Sequence, residues 1–232
     1  MLHDYFAGCS IINLPERTDR RREKERELAR ADIPAELAEF YPAIRPDSAG
    51  DFPSLGARGC FHSHLGVLRQ ARDRGWSNVL IMEDDLAIDP RLSTEAPRIV
   101  SELQTTDWDM AYLGHVLRDQ PNESRIFRSF TGPIATAHFF AVHSRCLSKL
   151  VLFLETVLSR PAGHADGGPM HVDGAYSTFR LQNPDLKTLV ASPSLGSQRS
   201  SRSDITPGWK DRIPVLRTAL AMARSFRNRR NG

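Results

Sequence analysis

Three adjacent acids, Glu83-Asp84-Asp85, follow directly on the apolar run Asn78-Val79-Leu80-Ile81-Met82. Such a run reads as a buried strand, and in open α/β sheets ligands sit beyond the carboxyl ends of the strands. Successive strand residues face opposite sides, so Glu83 and Asp85 are expected on one side and Asp84 on the other. Carboxylate oxygens suit Mg²⁺ or Mn²⁺, ions that commonly bridge to substrate phosphates. The same acids would equally serve to cap a following helix. A Walker-B strand also ends in acids, but it requires a G-x-x-x-x-G-K-[ST] loop, which the chain lacks.

Other residues are chemically equipped but less directional. His171 and Asp173 put two titratable groups on the same side of an extended segment, and Gly174 beside them would let a backbone or ligand approach closely. Asp173 would also suit a helix cap before Ala175. Cys60 and His64 stand one helical turn apart; two ligands do not make a zinc site, and Cys60 reads as a small apolar residue in packing. Ser63 and His64 could hydrogen-bond a ligand, or His64 could fix helix to strand. Arg17 and Arg20 could pair with a pyrophosphate, or belong to a solvated helix face on which Arg20, Arg21, Arg22 and Lys24 interleave with acids. Gln198, Arg199, Arg202, Ser203 and Asp204 form a polar, basic loop, either a lid over a ligand or a linker.

The elements that must position these groups alternate strand and helix. Strands are expected at Cys9–Leu14, Phe40–Ile44, Asn78–Met82, Met110–Leu113 and His138–Val142. Helices are expected from Pro15-Glu16 to about Ala31, from Phe61 to near Gly75, over Pro90–Leu103 and over Ser144–Leu158. Pro46–Gly59 and Arg160–Pro169 read as loops. Strands alternating with helices indicate a mostly parallel α/β sheet flanked by helices.

The 232 residues, 40% hydrophobic and 25% charged, suit one domain able to bury its own core. Three widely spaced cysteines read as reduced thiols in a reducing compartment. The N-terminal residues show no signal-peptide pattern, and no apolar stretch is long enough to cross a bilayer. Residues 213–232 carry five arginines and no acid, leaving 26 basic against 28 acidic residues in the rest. A domain at 1–212 with a basic amphipathic tail at 213–232 is therefore expected. The tail rests either on an anionic membrane surface or on the domain; nucleic acid is disfavoured because no aromatic platform accompanies the charge.

Six segments recur in a characteristic order: INLPERTDRR at 12–21, GARGCFHSHLGVLRQA at 56–71, VLIMEDDLAI at 79–88, WDMAYLG at 108–114, HVDGAYSTF at 171–179 and PSLGSQRSSRSDI at 193–205. Together they resemble glycosyltransferase family 25, whose bacterial members are lipooligosaccharide galactosyltransferases and whose animal members include collagen galactosyltransferases. The resemblance implies a GT-A-like single domain and an inverting transfer of a hexose, galactose by default, from a UDP-sugar. It also implies Mn²⁺ (or Mg²⁺) as cofactor, and a saccharide or lipid-linked saccharide acceptor in lipopolysaccharide or surface-glycan synthesis. The place of action would be cytoplasmic, at the inner face of the membrane if the tail binds there. Carried onto this sequence, Asp85 would ligate the metal with Glu83. Asn13, Arg17, Arg20, Ser63, His64, Glu83, Asp84, Gln198, Ser203 and Asp204 would contact the donor. Asp173 would deprotonate the acceptor, with His171 as alternate base or ligand. Two rivals stand beside this reading. A nucleotidyltransferase would want a glycine-rich phosphate loop after the first strand, where Leu14-Pro15-Glu16-Arg17 stands. A non-catalytic saccharide- or nucleotide-sugar-binding protein could use the same scaffold.

Overall fold

The first strand's residues alternate between two separate cores, which fixes the architecture. Ile12, Val79 and Ile81 face one hydrophobic cluster, while Ile11, Leu80 and Met82 face the other. Strands buried on both faces carry unbroken apolar runs. The computed structural model describes residues 2–34, 37–118 and 124–199. The described residues form one compact unit; Ser203, Asp204 and the basic segment at 213–232 lie outside them.

A short helix, α1 (Leu2–Tyr5), precedes strand β1 (Gly8–Asn13), helix α2 (Thr18–Arg30) and strand β2 (Ala38–Pro42). Helix α3 (Leu55–Asp73) leads into β3 (Asn78–Glu83), β4 (Leu86–Ile88) and helix α4 (Arg91–Thr105). Then come β5 (Met110–Gly114), β6 (Phe127–Ser129), β7 (Phe139–His143), α5 (Ser144–Leu158), α6 (Val172–Gln182), β8 (Thr188–Ala191) and β9 (Gly196–Gln198).

The main sheet has the order β2-β1-β3-β7-β5-β8-β6. β2, β1, β3, β5 and β8 point one way, and β7 and β6 the other. The sheet is thus mostly parallel, as expected. Helices α3, α5 and α6 cover one face; α1, α4 and Leu28 of α2 cover the other. The chain leaves β1 for β2 on one side and returns to β3 on the other, so the switch in strand order falls at the carboxyl ends of β1 and β3, where open sheets bind ligands. A ribbon of β4 and β9, pairing Leu86 with Gln198 and Ile88 with Gly196, stands beside it.

Several boundaries differ from the sequence reading. α2 starts at Thr18 because Pro15-Glu16 form a turn closed by the Arg17 amide on the Leu14 carbonyl, 2.8 Å. β2 lies two residues earlier than expected. α3 begins within the supposed loop, at Leu55, where Ser54 Oγ accepts from the Ala57 amide at 3.1 Å as an N-cap. Gly59 therefore sits inside the helix. A Cβ there would stand 2.6 Å from the Ile44 carbonyl oxygen, so its role is close packing rather than breaking. The segment read as extended around His171 becomes helical from Val172. Among the described residues, no helix is long and apolar enough to cross a membrane.

Candidate functional site

Glu83 ends β3, locked in place by its amide on the His138 carbonyl, 2.9 Å, while the Asp84 amide reaches the Ile12 carbonyl, 3.1 Å. Asp84 and Asp85 then turn the chain into β4, so strand alternation stops at Glu83. The three carboxylates still part company. Asp84 faces β1 and α2: its oxygens accept from Asn13 Nδ2 and from Arg20 NH1, each at 2.8 Å, in a largely buried ion pair. Asn13 and Arg20 are thereby brought to the acidic turn. Arg17 instead chelates Asp19 at the mouth of α2, at 2.8 and 2.9 Å.

Glu83 points towards α3. Its Oε1 lies 3.2 Å from His64 Nε2 and 3.8 Å from Cys60 Sγ. His64 is fully buried, stacks on Phe140 and meets the Tyr176 hydroxyl through Nδ1 at 3.2 Å. Burial pushes the Glu83 carboxyl up, but the hydrogen bond and charge of His64, with help from His138, hold it below its ordinary value. His64 therefore fixes helix to strand and orients Glu83. Ser63, also buried, donates to the Gly59 carbonyl at 2.7 Å and accepts from the Ile44 amide at 2.8 Å. Its hydroxyl braces the loop before α3.

Asp85 is the group left under tension. Gln198 Nε2 donates to its Oδ2 at 3.0 Å, and the Arg199 amide to its carbonyl at 2.9 Å. Its Oδ1 is buried with no hydrogen-bond partner among the described residues. Burial first, then the charge of Glu83, push this carboxyl up to about 7. A buried unpaired carboxylate oxygen beside a second carboxylate is a vacancy in charge complementarity that a divalent cation would meet, and the oxygen donors are of the hard type that Mn²⁺ and Mg²⁺ prefer.

Asp173 lies in the first turn of α6, and the helix cap falls to His171, which is exposed and makes no side-chain capping bond. The Asp173 carboxyl accepts from the Gly174 amide at 2.8 Å. Burial raises its pKa, and the charge of Glu83 adds to the rise. Burial likewise pushes the Cys60 thiol up, and Glu83, Asp173 and Asp85 all contribute. These four groups, from α3, β3, the acidic turn and α6, thus share one electrostatic neighbourhood. A Cβ at Gly174 would meet only the Met170 side chain, at 3.5 Å and beyond.

Three further residues take parts that the sequence reading did not give them. Tyr176 is one turn beyond Val172 on the inner face of α6, as its aromatic character permits. Lys24, read as a solvated helix residue, is fully buried and donates to Glu27 at 3.2 Å and to the Leu86 carbonyl; its spacing of four from buried Leu28 was the available signal. Arg199 joins the same knot through Glu23, Glu27 at 3.0 Å and the Leu86 carbonyl at 3.3 Å. Of the segment read as either a lid or a linker, Gln198 ends β9 and Arg199 is held by these contacts, while Arg202, Ser203 and Asp204 lie outside the described residues.

No family model matches the chain. Procollagen galactosyltransferase 1 of Danio rerio is 27% identical over 129 residues, which cover 47% of this chain and 21% of that protein. Inactive glycosyltransferase 25 family member 3 of Homo sapiens is 23% identical over 129 residues, 47% of this chain and 22% of its own length. The chain is glycosyltransferase family 25-like. The matched stretch spans about a fifth of these relatives, at 21% and 22%. A solved glycosyltransferase involved in the glycosylation of the major capsid of PBCV-1 superposes with a TM-score of 0.51 at 14% identity, covering 84% of the family 25-like chain and 94% of its own. That likeness concerns the fold, which is GT-A-like.

Proposed function

We propose that this family 25-like chain is a metal-dependent hexosyltransferase. It would move galactose from UDP-galactose, with inversion, to a saccharide or lipid-linked saccharide acceptor during surface-glycan synthesis at the cytoplasmic face of a membrane. The observation that carries the reading is Asp85 Oδ1, buried and without a hydrogen-bond partner among the described residues, beside Glu83 at the carboxyl end of β3. Asp85 and Glu83 would hold Mn²⁺ or Mg²⁺, which when bound supplies Lewis-acid neutralisation of the leaving diphosphate.

The chain's own groups divide the remaining work. Asp84 holds Asn13 and Arg20 at the acidic turn, where they would meet the nucleotide. Gln198 fixes one oxygen of Asp85 and so aims the other. Asp173 would take the acceptor proton, and burial, by raising its pKa, makes it a stronger base than an ordinary carboxylate. His171, exposed beside it, is the alternate base.

The test is release of UDP from a panel of nucleotide-sugars with and without Mn²⁺, paired with thermal-shift binding of each donor. Mn²⁺-dependent release, strongest with UDP-galactose and absent in Asp85→Ala, is the expected result. A second reading, binding without turnover, is favoured by several relatives' being named inactive or probable inactive. A wild-type chain that binds donor but releases no UDP with any acceptor would support that alternative and sink the transferase.

A further inference from the structure

Cys60 and His64 are one turn apart on α3, and the fold delivers a third donor to them from a different element. Cys60 Sγ, a ring nitrogen of His64 and a Glu83 oxygen all lie within 4.8 Å of one another. We infer that Cys60, His64 and Glu83 form a site for a borderline-soft divalent ion, Zn²⁺ in particular, distinct from the hard-ion site built on Asp85.

Geometry supports this first. With Zn–S of about 2.3 Å and Zn–N or Zn–O of about 2.0 Å, a tetrahedral sphere spaces sulfur from oxygen by about 3.5 Å and nitrogen from oxygen by about 3.3 Å. The observed separations are 3.8 Å from Cys60 Sγ to Glu83 Oε1 and 3.2 Å from His64 Nε2 to Glu83 Oε1. Donor chemistry supports it next. Sulfur and imidazole select Zn²⁺ over Mg²⁺ or Mn²⁺, and three protein ligands leave a fourth position open. The surroundings complete the case. A ligating histidine usually engages its other nitrogen with a fixed partner, and His64 Nδ1 meets the Tyr176 hydroxyl at 3.2 Å while the ring stacks on Phe140. Binding would replace the Cys60 S–H bond by a metal–sulfur bond and put the metal in the place of the proton on His64 Nε2. A charged ring and the thiol together then release two protons to solvent, and a neutral ring, its proton kept on Nδ1, leaves only the thiol proton to release.

Glu83 alone is common to this site and to the proposed donor-metal site. Zn²⁺ here would take Glu83 away from the second ion and inhibit any transfer. The site itself does not depend on whether the chain transfers sugar.

Co²⁺ serves as the spectroscopic probe on the 232-residue chain. The expected result is one equivalent of Co²⁺ giving a near-ultraviolet sulfur-to-metal charge-transfer band, displaced by Zn²⁺. Cys60→Ser should abolish the band, and Tyr176→Phe should weaken Zn²⁺ affinity on the order of tenfold in chelator competition. Asp85→Asn should keep the band while losing Mn²⁺ binding, so failure of the two sites can be told apart. No band in the wild type, or Zn²⁺ affinity unchanged in Cys60→Ser, would mean that the cluster is a hydrogen-bonded brace only and would overturn the inference.

Discussion

At pH 8 and without metal, Asp85 must ionise in a buried place beside Glu83, and this should be visible in the stability of the fold. Burial and the Glu83 charge carry its carboxyl from an ordinary 3.8 up to about 7. Between those values the folded chain holds a proton that the unfolded chain has lost. Stability therefore falls as pH rises through that window, is free of the penalty below it, and bears the whole of it above. Three pH units at about 1.4 kcal/mol each give about 4 kcal/mol. Asp85→Asn keeps an oxygen for Gln198 and removes the charge. In urea denaturation with chelator present, the variant should match wild type near pH 4 and exceed it at pH 8 by up to about 4 kcal/mol. For a chain of this size that is roughly 8–16 °C in melting temperature. The variant should retain a shallower slope of the same sign, because Asp173 is raised as well. Mn²⁺ at a hundred times its Kd should return about 2.7 kcal/mol to wild type and nothing to the variant. Parallel stability–pH curves for the two proteins, or a variant less stable at pH 8, would refute the assignment of Asp85 as the strained, metal-seeking group.

Asp173→Asn should cut turnover by about 10²–10⁴-fold while leaving Mn²⁺ and UDP binding near wild type, measured by UDP release and calorimetry; unchanged turnover removes Asp173 as the base. Ser63→Ala strands the Ile44 amide and should cost about 1–3 kcal/mol in denaturation with little change in donor affinity. A raised donor Kd without lost stability would instead return Ser63 to the binding surface. Asp84→Ala leaves the part-buried Arg20 and the buried Asn13 without their shared acceptor, so a loss of about 3–5 kcal/mol is expected. Wild-type stability in that variant would show that the pair holds nothing together.

The sequence reading succeeded where local chemistry and global fold agree. Asn78–Met82 is apolar, β-branched in part and followed by acids, so both its strand and the location of the site could be read directly. Met110–Gly114 and Ser144–Leu158 were equally legible. Short strands were not: β4, β6, β8 and β9 have three or four residues each, too few to show a period, and they exist because neighbouring strands supply their hydrogen bonds. Gly59 misled in the opposite way. Glycine reads as a helix breaker from sequence, and only the approach of the Ile44 carbonyl shows why a helix keeps one there.

By itself, the sequence determined an α/β chain with an acidic triplet at the end of a buried strand, and the segment order that makes it family 25-like. Composition and periodicity are local properties, and both survive in one dimension. What each acid does was decided only by the tertiary structure. Packing turned Asp84 to Arg20 and Asn13, Glu83 to His64 and Cys60, and left one oxygen of Asp85 buried without a partner among the described residues. Those assignments depend on partners 19 to 113 residues away in sequence, and a one-dimensional pattern carries no information on which distant side chain arrives, or on how much water it displaces.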